Sequence, residues 1–96
     1  PADVIAVRDG KSYLIDCKVC SRGRFPFSRI EDNQHTAMRA WQESGNGTGW
    51  FALKCEGYIF MLDYDTLKRL SKTQSSISFK DMCFYGRVLE AWVVFA

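Results

Sequence analysis

The chain has 96 residues, of which 47% are hydrophobic and 25% charged, and its formal net charge is +2. That is the composition of an ordinary globular protein, long enough for one domain that buries about two-thirds of its unfolded surface. No run approaches the roughly 18 apolar residues of a membrane span, and no secretory signal peptide is visible. The chain opens at Pro1 rather than Met, inside strand-like sequence, so further chain is expected upstream.

The first elements are two β-prone runs, Val4-Ile5-Ala6-Val7 and Tyr13-Leu14-Ile15, with Asp9-Gly10 between them. Asp-Gly in that position predicts a two-residue type I′ hairpin. The register then sets Arg8 against Lys11, Ile5 against Leu14, and Asp3 against Asp16. Directly opposite residues share a face, with Cβ atoms roughly 4.5–5.5 Å apart. Side chains two apart on a strand also share a face, so Lys18 joins the two aspartates. A three- or five-residue loop would break this register.

Like charges set opposite one another are destabilising. Carboxylates that close share a proton or bind a cation. Mg²⁺ suits them, because it takes hard oxygen ligands and keeps several waters. A lysine beside such a metal helps lower the pKa of a bound water, or stabilises charge developing on a phosphate. The competing reading of the same residues is a solvated strand end with a surface ion pair.

Cys17 is expected on the face opposite Asp16, as a small core residue. The four cysteines, at 17, 20, 55 and 83, contain one Cys-x-x-Cys pair and no second one. With a lone His35 far along the chain, a structural zinc site has poor support, and reduced thiols are expected. Residues 17–30 hold Lys18, Arg22, Arg24 and Arg29 and no acid. A phosphate backbone is the natural partner of such a stretch, with a solvated loop as the alternative.

Ser28-Arg29-Ile30-Glu31 reads as a capping box opening a helix over about 29–44, stopped by Gly45-Asn46-Gly47. Its apolar stripe is Ile30, Ala37, Met38 and Trp41. Gln34 falls on that stripe and needs a hydrogen-bonding partner there, either near a metal site or as a satisfied core amide. His35 is expected on the exposed side. Residues 50–55 and 58–62 read as two strands joined at Glu56-Gly57 and buried on both faces. Asp65 is expected to cap a short helix through Leu70, followed by a polar loop over 71–76. Ser78 is expected to cap a helix near 79–85, ended by Gly86. Val88 to Phe95 reads as a last strand, with Trp92 packing. The order implies a mixed α/β sheet with helices packed against it.

Taken in order and spacing, these motifs resemble the PD-(D/E)XK nucleases, and within them the RecU-type Holliday-junction resolvases. The resemblance runs through Pro1-Ala2-Asp3, Leu14-Ile15-Asp16-Cys17-Lys18, Phe25-Pro26, Asn33-Gln34 and Ile77-Ser78-Phe79…Tyr85-Gly86. It implies a single restriction-endonuclease-like core, α/β with a mixed central sheet flanked by helices, lacking its N-terminal helix. It implies Asp3, Asp16 and the Cys17 carbonyl as ligands of Mg²⁺, with Mn²⁺ as a substitute. Lys18 would be the catalytic lysine and Gln34 the helix glutamine that orders the site. Arg22, Arg24 and Arg29 would lie near DNA phosphates.

The activity so implied is metal-dependent hydrolysis of phosphodiester bonds in four-way junctions or other branched DNA. The complete protein would be a homodimer, in the cytoplasm of a bacterium or a phage-infected host. Two departures stand out: the family's N-terminal acidic helix and stalk are not in this sequence, and Asp16 stands where many members have Glu. The rival readings are another restriction- or repair-type DNA nuclease, a non-catalytic DNA-binding module of the same fold and, more remotely, a small redox protein.

Overall fold

The structure, a computed structural model, describes the backbone of residues 3–95 and the side chains of residues 4–95. Pro1, Ala2, the Asp3 side chain and Ala96 lie outside the described residues, and so does the expected ligand role of Asp3.

The opening hairpin forms as its sequence requires. Strands β1 (Asp3–Arg8) and β2 (Lys11–Val19) pair antiparallel, with Arg8 opposite Lys11 and Asp3 opposite Asp16. Asp9 and Gly10 sit at φ 52° and 77°, the two left-handed residues of a type I′ turn. The chain then makes a short strand β3 (Arg24–Pro26), a single 3₁₀ turn over 27–29, and helix α1 (Asp32–Trp41). Strands β4 (Trp50–Cys55) and β5 (Tyr58–Asp63) form a second hairpin, turning at Glu56-Gly57. Helix α2 (Tyr64–Leu70), strand β6 (Ser76–Ser78), helix α3 (Phe79–Tyr85), the two-residue strand β7 (Arg87–Val88) and helix α4 (Leu89–Phe95) complete the described chain.

The architecture is mixed α/β. Five strands make the central sheet in the order β1-β2-β4-β5-β7, and β3 pairs with β6 in a small second sheet. Among the described strands of this sheet, only β2 and β4 run parallel. A parallel pair needs a crossover connection, and α1 lies within it. One face of the sheet contributes Leu14, Phe51, Leu53, Phe60 and Leu62 to a core closed by Met38 of α1 and Leu67 of α2. On the other face Tyr13, Ile15 and Met61 pack under Trp92 of α4.

Six expectations need correction. Helix α1 is shorter than 29–44, because Ile30 and Glu31 are extended and Glu31 is the N-cap; a π turn over 42–46 follows it. The hydrogen bond that starts the helix runs from the Glu31 amide to Gln34 Oε1, at 2.9 Å. Asp63, not Asp65, caps α2, accepting from the Thr66 amide at 3.1 Å. Residues 89–95 are helical rather than extended: β5 pairs with β7 only at Arg87 and Val88, and helical spacing lets Leu89 and Trp92 both reach the sheet. Cys17 is exposed, because α4 covers Tyr13 and Ile15 and stops short of Cys17 and Val19. His35 is half-buried, with Nδ1 2.6 Å from the Tyr64 hydroxyl. The 71–76 loop also ends in β6, whose pairing with β3 periodicity did not reveal.

Candidate active site

Asp16 and Lys18 are interior residues of β2, two apart, and so project from the same face as Leu14. Two rows of that face run across the sheet. Asp3 and Asp16 continue into Phe51 and Leu62, and Lys18 continues into Leu53, Phe60 and Val88. The polar residues therefore stand where an apolar core face meets the edge hairpin. Asp16 is 1% exposed and Lys18 is 8% exposed. The Lys18 ammonium lies 3.8 Å from Asp16 Oδ1. Burial of this kind is costly for both ions, and removal of either one takes a neighbouring opposite charge from the other.

Helix α1 brings the third residue. Gln34 is buried on its sheet-facing side, one turn ahead of Met38. Its carbonyl oxygen is engaged by the Glu31 amide, so Gln34 has a structural role in starting α1.

Beside Lys18 the surface opens into a cleft of about 450 Å³, lined by Cys17, Lys18, Val19, Ser28, Arg29 and Glu31. The Arg29 guanidinium is held at this rim: Nη1 donates to the Val19 carbonyl at 2.5 Å, and the group lies over the Phe25 ring at 5.4 Å. Of the three arginines expected near phosphates, only Arg29 lines this cleft. Arg22 is at the tip of a tight turn, at φ 54°, where Ser21 and Arg24 pair. Arg24 donates to Ser76 Oγ at 2.8 Å and so ties β3 to β6. Ser28 and Glu31 were not expected here. Their signal was the Glu31-x-x-Gln34 pair, which sets the helix start three residues later than Ser28 does.

The donor set decides what the site can hold. Among the described residues no group of three or more His, Cys, Asp or Glu side chains gathers around one point. Among the described side chains, a cation would rest on Asp16, with backbone and solvent oxygen completing its shell. That sparse, all-oxygen set fits Mg²⁺, which keeps several waters and takes one or two carboxylates. It does not fit zinc, which seeks four nitrogen or sulfur ligands. The Cys20 thiol is pushed up to about 12 by burial and by neighbouring Cys55, which makes it a poor nucleophile.

Among the described residues no helix is long and apolar enough to cross a membrane. No family model and no curated protein matches this chain.

Proposed function

We propose that this chain carries the core of a Mg²⁺-dependent DNA endonuclease of the PD-(D/E)XK type, acting on four-way junctions or related branched DNA. One observation carries the reading: a carboxylate and an ammonium buried side by side at 3.8 Å, with a second aspartate in register across the hairpin. An arrangement that costs stability is accounted for when the site uses it.

Asp3, Asp16 and the Cys17 carbonyl are the oxygen donors that would hold Mg²⁺. Bound there, the ion supplies Lewis-acid polarisation of the phosphoryl oxygens. Lys18 sets a positive charge next to the same point and stabilises negative charge as it develops on the phosphate. Its burial keeps that charge unscreened by solvent. Arg29, fixed by Val19 and Phe25, grips a neighbouring phosphate of the strand. Gln34 holds the start of α1, and with it the Ser28–Glu31 side of the cleft. In the complete protein, pairing of two such cores would present two sites to one junction.

The test is side-by-side digestion of a labelled four-way junction and a linear duplex, each with Mg²⁺ and with chelator. Preferential Mg²⁺-dependent cleavage of the junction is expected. Equal cleavage of both substrates would assign a nuclease of another type. Salt-sensitive DNA binding without cleavage would assign a non-catalytic module.

A further inference from the structure

On the sheet face opposite Asp16, a cleft of about 440 Å³ opens between the strands and the C-terminal end of α4. That volume lies within the roughly 300–1,000 Å³ of small-molecule sites. Its walls are largely aromatic, with Tyr13 and Trp50 from the sheet and Trp92 and Phe95 from α4. Trp92 meets both Tyr13 and Trp50 edge to face, with ring centroids 5.3 Å apart in each pair. The Trp92 and Tyr13 contacts fix the floor, while Phe95 is 74% exposed at the side.

Two exposed cations flank these rings. Lys11 Nζ lies 5.2 Å from the centre of the Tyr13 ring, and the Arg87 guanidinium lies 5.0 Å from that of Phe95. Among the described residues neither cation makes an ion pair. Among the described residues that line the cleft the one acid, Asp63, is committed elsewhere. Its two oxygens accept from the Thr66 amide at 3.1 Å and the Thr66 hydroxyl at 2.7 Å as the cap of α2. The cleft therefore offers aromatic surface together with net positive charge.

We infer that this cleft binds a nucleotide, its base against the aromatic walls and its phosphate on Lys11 and Arg87. An uncharged apolar ligand leaves both cations without a counter-charge, and inorganic phosphate leaves the rings without a partner. Base–aromatic stacking beside cationic side chains is the combination that single-stranded nucleic-acid sites use. The inference does not rest on the metal site, which lies on the other face.

The protein carries its own reporter. Trp50 and Trp92 line the cleft, whereas Trp41 packs with α1 on the opposite face. Tryptophan emission, excited where adenine does not absorb, is followed in metal-free buffer during titration with dAMP, deoxyadenosine, inorganic phosphate and a short oligo(dA). Saturable quenching by dAMP is expected. Losing the charge-assisted contacts weakens deoxyadenosine by about tenfold or more. Phosphate gives no quenching. A Lys11→Gln/Arg87→Gln double variant with unchanged circular dichroism loses affinity for dAMP by a similar factor. Tighter binding of oligo(dA) than of dAMP assigns the site to a DNA strand, and equal or weaker binding assigns it to the free nucleotide. Absence of saturable quenching by either ligand overturns the inference, as does unchanged dAMP affinity in the double variant.

Discussion

The buried pair makes a stability prediction that separates a functional site from a structural staple. In Lys18→Met the Asp16 carboxylate keeps its 1% exposure and loses an ammonium 3.8 Å away. At that separation, and at an effective dielectric of about 20, the lost attraction is about 4 kcal/mol. Measured losses on removing one partner of a buried pair are also about 3–5 kcal/mol. Against a total of about 5–15 kcal/mol for a domain, the single variant is close to unfolding. The double variant Asp16→Leu/Lys18→Met removes both charges and fills the same strand positions with apolar side chains beside Leu14, Phe51 and Leu53. Such replacements are commonly neutral or stabilising by about 1–4 kcal/mol. The double variant should therefore regain what the single variant lost and equal or exceed the parent. Urea denaturation with a common m-value measures all three proteins. A double variant as unstable as Lys18→Met would refute the reasoning, because the pair would then be contributing stability rather than costing it.

Mg²⁺ should raise the melting temperature of the parent protein, by about 2.7 kcal/mol of added stability at a hundredfold excess over Kd, and leave Asp16→Asn unchanged; differential scanning fluorimetry reads both. Ser78→Ala should cost about 1 kcal/mol in denaturant melts, because the Ser78 hydroxyl accepts from the Asp81 amide at 3.1 Å to cap α3. Burial, with Arg39 adding to it, holds His35 below its ordinary 6.5, so the unfolded chain takes up the proton first. Stability from this group is full above that value and declines as pH falls below it, and His35→Gln should flatten this part of a urea-midpoint series from about pH 8 to about pH 5. A Cβ added at Gly49 would run into the buried Met38 side chain, so Gly49→Ala should cost about 1–3 kcal/mol in the same melts.

The hairpin register was legible because a two-residue Asp-Gly turn leaves no freedom: once Arg8 faces Lys11, Asp3 must face Asp16. The β4–β5 hairpin was legible for the same reason, through Glu56-Gly57. Helix α4 was not. Val88 to Phe95 is β-prone in composition, yet residues 89–95 are helical and set Leu89 and Trp92 on the sheet, a tertiary contact that composition does not show. Strand alternation gives the face Cys17 occupies but not what covers it, and Cys17 is exposed. Gln34 was placed correctly on the buried stripe, yet its partner is the Glu31 amide one turn away, a local capping bond hidden by the more conspicuous Ser28. Among the arginines, charge clustering along the chain did not distinguish Arg29, held at the cleft, from Arg24, held by Ser76.

The most direct test compares the parent protein with Asp16→Asn and Lys18→Ala on a labelled four-way junction in Mg²⁺, after circular dichroism has established that each is folded. The parent should nick the junction, leaving a 5′-phosphate, and both variants should lose that activity. Undiminished cleavage by folded Asp16→Asn would contradict the assignment of this site.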